Sequence, residues 1–148
     1  MRLITVCMIC AMLAACGGPA ATGPEEALRQ WLADAEAAAE DLDRRGLVAM
    51  ISENYADGRG NDKDSVNKLL RFYFLRQKSV ELVMKIDEMT VIDETAAEIL
   101  VTAAGVGMTT RALGINADAY QFALELEKGD EEWMLIGARW GEPGQELH

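Results

Sequence analysis

Few side chains in this sequence of 148 residues can do chemistry, and their placement narrows the field further. The single histidine is His148, at the end of a polar stretch. An imidazole there is not held against a nucleophile, so no Ser/His/Asp or Cys/His arrangement is expected. Zinc and copper sites lack their usual ligands for the same reason, and no metal or cofactor is expected. Carboxylates are the remaining reagents, and Asp57-Gly-Arg-Gly-Asn-Asp-Lys-Asp64 is dense in them. Read as an EF-hand from Asp57, this stretch needs glycine where Asp62 stands and glutamate where Lys68 stands, and it fails at both. Turn formation and helix capping are the expected roles, with a calcium site of another type as the alternative.

Acid–base chemistry would need a carboxylate whose ionisation is set by burial, with a hydroxyl beside it. Tyr55 and Asp57 are candidates for the rim of such a pocket, and Asp87 lies where a strand pattern breaks. The competing role for Asp57 is a turn contact. For Tyr55 and Tyr73 it is a core aromatic with a satisfied hydroxyl. Arg59, between two glycines, can reach an anionic ligand or pair with a neighbouring acid. Trp31, Phe72, Phe74, Phe122, Trp133 and Trp140 can line an apolar pocket, although aromatics at helical or strand spacing are more often plain core. The candidate pocket or rim set is therefore Trp31, Tyr55, Asp57, Tyr73, Phe122 and Trp140, with no catalytic residue assigned.

The three cysteines all fall in the first sixteen residues. Met1-Arg2 is a short basic start, and Leu3 to Met12 is an apolar run too short to span a bilayer. It has the length of a secretory signal, and Leu13-Ala14-Ala15-Cys16 follows. That tetrad resembles the lipobox of bacterial lipoproteins. The resemblance implies cleavage before Cys16, a diacylglycerol thioether on its sulfur and acylation, palmitate included, of the freed amine. Residues 1–15 would then be a lipoprotein signal peptide. Cys7 and Cys10 would leave with it, so their C-x-x-C spacing is not a redox or metal motif. The resemblance also implies sorting by the residue after the cysteine. Gly17 is not the aspartate of inner-membrane retention, so the outer membrane, facing the periplasm, is expected.

Residues 16–23 read as the lipidated cysteine and a short tether without apolar period. Its seven residues after Cys16 stretch to about 25 Å at most, which holds the following domain close to the membrane. The whole chain has 14 basic against 25 acidic residues, a net charge of −11. That balance argues against nucleic acid or anionic lipid as an electrostatic partner of the chain as a whole, because both repel a surface of that sign.

The elements that must position the candidates follow from periodicity. Residues 24–45 carry Leu28, Trp31, Leu32, Ala35, Ala38, Ala39 and Leu42 at three- and four-residue spacing, a helix that Gly46 interrupts. Leu47, Val48, Met50 and Ile51 make a second, shorter helix. A third starts between Asn61 and Asp64, with Val66, Leu69, Leu70, Tyr73 and Phe74 apolar. Lys63, Lys68, Arg71, Arg76 and Lys78 give it a basic outer surface, either a solvated face or a dock for an acidic partner or lipid headgroups. Four strands follow: 80–91 with a bulge near Asp87 and Glu88, then 97–103, 120–127 and 133–140. Turns are expected near Asp93-Glu94 and Gly129-Asp130, and a flexible connection over 105–118. Eight acids and two bases between Asp118 and Glu146 bias the last two strands toward negative charge.

Helices first and antiparallel strands after define an α+β order. The paired N-terminal helices, Tyr55 to Asp62 leading into a third helix, Tyr73-Phe74 near its end and a final strand ending at Trp140 resemble the nuclear-transport-factor-2-like superfamily, also called cystatin-like or ketosteroid-isomerase-like. The resemblance implies helices packed on a strongly curved antiparallel sheet, a cone over residues 24–141 with an apolar pocket at its open end, and a polar tail over 142–148. It also implies small bacterial lipoproteins as the nearest kin.

The expected function is a membrane-anchored, non-catalytic binding module for a small apolar ligand or an envelope protein. The alternatives are an isomerase- or lyase-like enzyme using a pocket carboxylate, and an oligomerisation module forming a homodimer through the sheet.

Overall fold

The computed structural model describes residues 23–106 and 119–148. Three helices precede a four-stranded sheet: α1 (Pro24–Glu40), α2 (Arg44–Ala49), α3 (Lys63–Phe74), β1 (Glu81–Val91), β2 (Ala96–Val106), β3 (Ala119–Lys128) and β4 (Trp133–Gly141). The strands are antiparallel neighbours in the order β1-β2-β3-β4. This is the α+β architecture expected from the order of patterns in the sequence.

Pro24 opens α1, with Glu25 and Glu26 in its first turn at the positive end of the helix dipole. The helix stops at Glu40, five residues short of the expected end. Leu42 takes a φ of 55° there, and the Asp43 side chain accepts a hydrogen bond from Gly46 N, capping α2. The break is thus set by an N-cap at Asp43, and Gly46 lies inside α2. A Cβ on Gly46 would meet Asp43 Oδ2 at 2.4 Å, so a larger residue there would make the capping carboxylate shift. Ile51, expected in the second helix, instead forms a bridge to Leu135 of β4. Asp62 caps α3 by accepting from Ser65 N at 2.8 Å, within the expected start. The guanidinium of Arg44 bonds Asn67 and ties α2 to α3.

The sheet curves where its register slips. β1 is bulged between Ile86 and Glu88, as the shift in apolar parity predicts. A second irregularity, unmarked by any parity break noted in the sequence, pairs Glu125 with Gly137 and then Leu126 with Leu135. β2 continues through Gly105, which pairs with Leu82, so the expected connection starts two residues later than its sequence suggests. The rest of that connection, like residues 1–22, lies outside the described residues.

The inner face of the sheet holds the core. Leu28 and Ile99 are fully buried and pack with Ala97, Leu126 and Trp133, where Trp31, Ile86 and Met89 close in. A second cluster joins Ile51, Tyr55 and Ala138, with Val66 of α3 and Trp140 against it. Among the described residues no charged or polar side chain is buried.

Both sheet edges are covered. On β1, Glu40 Oε1 accepts from Leu82 N at 3.1 Å and Glu36 Oε1 from Met84 N at 3.4 Å. On β4, Leu135 N donates to Met50 O at 2.9 Å, Ala56 N to Ile136 O at 3.1 Å and Gly58 N to Ala138 O at 3.0 Å. The C-terminal residues turn back, and Trp140 and His148 exchange two backbone hydrogen bonds at 3.1 and 3.3 Å. Gly58 is required there, since a Cβ on it would lie 2.5 Å from the His148 carbonyl carbon.

Candidate functional site

β3 and β4 bring the aromatic candidates together. Tyr120, Phe122 and Trp140 fall on the inner face because side chains alternate along a strand and Phe122 pairs with Trp140 across it. The Phe122 and Trp140 rings stack with centroids 6.4 Å apart, and Tyr120 sits 6.5 Å from Phe122. Tyr55 is 6 % exposed and shares a cluster with Trp140, at the point where residues 50–58 run along β4. Burial, and then the nearby Asp57 carboxylate, push the Tyr55 hydroxyl well above the usual phenol range. Tyr55 is therefore a neutral hydroxyl on an apolar wall, not a source of phenolate.

Facing this wall is α3, which packs on α2 and has no Cα within 8 Å of any strand. Tyr73 lies seven residues after Val66, on the same side of α3, and its buried hydroxyl has no hydrogen-bond partner among the described residues. Burial raises its pKa as well. The ring sits 6.0 Å from that of Phe74.

The other candidates are placed elsewhere. Trp31 packs in the Leu28–Ile99 cluster, away from the aromatic wall, and its indole N–H is buried without a partner among the described residues. Asp57 is spent on a turn: it accepts from Arg59 N at 2.9 Å, from Asn61 N at 2.8 Å and from Asn61 Nδ2 at 2.8 Å. Asp87 sits on the outer face of the sheet, where Thr102 Oγ1 donates to it at 2.5 Å, Lys85 Nζ at 2.9 Å and Gln121 Nε2 at 3.2 Å. Those donors, Thr102 first, hold its carboxyl down at about 2, the reverse of what a general base in an apolar pocket requires. Phe72 points outward from α3 instead of lining the interior.

Two further residues belong to the wall. The Arg59 guanidinium lies 4.6 Å from the centre of the Trp140 ring, a cation–π contact, and pairs with no acid among the described residues. Tyr120 extends the stack by one ring. The alternation Tyr120-x-Phe122 could have announced the second. Nothing in the sequence announces the first, because Arg59 reaches Trp140 only once the 50–58 segment lies along β4.

Among the described residues no cluster of three or more His, Cys, Asp or Glu is placed to hold a metal. A shallow hollow at the β3–β4 turn, lined by Gly129 to Glu132 and Met134, is open and acidic and remote from the aromatics.

No family model and no curated protein matches the chain by sequence. Solved structures match its fold. An NTF-2 like protein of unknown function from Shewanella oneidensis aligns with a TM-score of 0.64 at 17% identity, over 79% of this chain and 98% of its own. A domain of unknown function with a cystatin-like fold from Nostoc punctiforme gives 0.64 at 18% identity, over 82% and 78%. A ketosteroid isomerase-like protein from Erwinia carotovora atroseptica gives 0.59 at 14% identity, over 80% and 95%. The fold of this chain is the NTF2-like α+β cone, with three helices on a curved antiparallel sheet.

Proposed function

We propose that this chain is a lipoprotein anchored through acyl chains on Cys16 to the periplasmic face of the outer membrane, and that its NTF2-like domain binds a small apolar ligand. The observation that supports binding is the aromatic wall of Tyr55, Tyr120, Phe122 and Trp140, which faces a helix that stands off the sheet. The unpartnered Tyr73 hydroxyl on α3 supplies one donor to orient a ligand carrying an acceptor. An envelope protein that inserts an apolar side chain against the same wall is the other occupant of this chemistry. The isomerase- or lyase-like reading needs a wall acid free to take a proton; Asp87 lies on the outer face of the sheet, and Asp57, beside the Tyr55 hydroxyl, is held by three turn donors.

Titration of the protein with the apolar dye N-phenylnaphthylamine tests the binding. Saturable fluorescence enhancement at one dye per chain is expected; a linear, unsaturable response would contradict it. The anchor is tested separately. Cys16→Ser should abolish incorporation of a fatty-acid analogue and leave the precursor uncleaved, whereas unchanged labelling would refute lipidation at Cys16.

A further inference from the structure

The helix α3 has two apolar faces, and the ligand-binding reading uses only one. Val66, Leu70, Tyr73 and Phe74 are partly buried. From the edge of that face round to the far side, Leu69 is 44 % exposed, Phe72 46 % and the C-cap residue Leu75 78 %. These three recur at three-residue spacing, so they form one exposed stripe. Lys68, Arg71 and Arg76 flank it, all exposed, and Lys78 follows just beyond. The Arg76 guanidinium covers the Phe72 ring at 3.9 Å.

Charge makes this stripe unlike the rest of the molecule. Residues 63–78 hold five of the 14 bases of the chain and one acid, Asp64. Lys63 pairs with Glu53 at 2.7 Å. Lys68, Arg71, Arg76 and Lys78 form no ion pair among the described residues, in a chain with 25 acids. The end of the domain where the tether enters is of opposite sign. Leu28 near the start of α1 packs with Ala97 and Trp133, beside the two turns that carry Asp93, Glu94, Asp130, Glu131 and Glu132.

We infer that the outward face of α3 is an interfacial membrane-binding surface, with Leu69, Phe72 and Leu75 entering the headgroup boundary of a bilayer rich in anionic lipid and Lys68, Arg71 and Arg76 meeting its headgroup charges. This inference rests on the anchoring through Cys16. An apolar stripe edged by cations is the composition that lies in the plane of such a surface. The tether of residues 17–23 reaches about 25 Å at most, and α1, of 17 residues, is itself about 25 Å long. The domain can therefore lie on its side, with α3 down while its acidic turns swing away from the negative surface. An acidic protein partner would satisfy the cations, but it would leave the three apolar side chains without a counterpart.

The experiment uses the lipidated protein reconstituted into phosphatidylcholine vesicles with and without phosphatidylglycerol. A nitroxide is attached at Leu75→Cys or, as a control, at Glu131→Cys; Cys7 and Cys10 are gone from the processed chain and Cys16 is blocked, so each introduced thiol is labelled alone. In phosphatidylglycerol vesicles the label at position 75 should lose its accessibility to a water-soluble nickel complex several-fold, and the label at 131 should not. High salt, or Lys68→Glu with Arg71→Glu and Arg76→Glu, should restore accessibility at 75. A protein that floats with the vesicles while position 75 stays open to the nickel complex overturns the docking and leaves the anchor standing. Failure to float at all overturns both. Shielding of position 75 before vesicles are added, or only when an acidic protein is present, overturns the docking in favour of a second copy or that protein.

Discussion

At the scale of single residues, the same chemical types do different work according to where the sheet puts them. Asp57 and Asp87 are both carboxylates with three donors, but Asp57 lies beside the Tyr55 hydroxyl while Asp87 is on the outer face of the sheet. Asp87 keeps 19 % of its side-chain area in solvent, while the bulged backbone that carries it is open. Its pKa is depressed from 3.8 to about 2, so its contribution to stability is present above about pH 4 and is lost as pH falls toward 2. Asp87→Asn should lower stability at neutral pH and flatten the acid end of the unfolding profile. Urea melts across that pH window check this, and parallel profiles for the two proteins would refute it. Ile99 is fully buried in the centre of the first cluster. Ile99→Ala should cost about 2–5 kcal/mol, the range for opening a cavity in a packed core, measured by the same melts.

At the scale of elements, the fold manages both edges of an open sheet. Glu36 and Glu40, one turn apart on α1, offer carboxylates to the N–H groups of Met84 and Leu82. An unpaired strand edge invites pairing with another chain, and this contact blunts it. Glu40→Ala should speed amide exchange at Leu82 without changing exchange at Ile99, read by hydrogen-exchange NMR; equal rates at Leu82 would show that the carboxylate does not protect it.

The elements were largely legible in the sequence because their signals are local. Period, Pro24 at a helix start and Asp62 as a cap mark the helices, and the parity break at Asp87 marks the β1 bulge. The end of α1 was not legible, because the apolar stripe runs on through Leu42 while the cap that breaks the helix belongs to Asp43. The site was less legible for a physical reason. Trp31 and Trp140 are alike as side chains, yet they sit in different clusters, and only long-range strand register decides which. Arg59 over Trp140 depends on the parallel run of residues 50–58 beside β4, which leaves no periodic trace.

At the scale of the whole molecule, the acidic average conceals an ordered distribution. The turns near the start of α1 are acidic, α3 is basic, and the apolar wall lies between α3 and the sheet. No helix among the described residues is long and apolar enough to cross a membrane. Solved structures with this fold include a ketosteroid isomerase-like protein and proteins of unknown function. The wall of this chain is rich in rings, with the Asp57 carboxylate beside the Tyr55 hydroxyl.

The most direct test compares dye binding by the wild type with two tryptophan variants. Trp140→Ala removes a ring that would contact the dye, a ring–ring contact being worth about 0.5–1.5 kcal/mol, so it should weaken N-phenylnaphthylamine binding by up to roughly tenfold. Trp31→Phe, in the other cluster, should leave the affinity unchanged. The reverse pattern, or equal affinity in all three proteins with their far-UV dichroism intact, would contradict the claim that this domain binds its ligand on the aromatic wall.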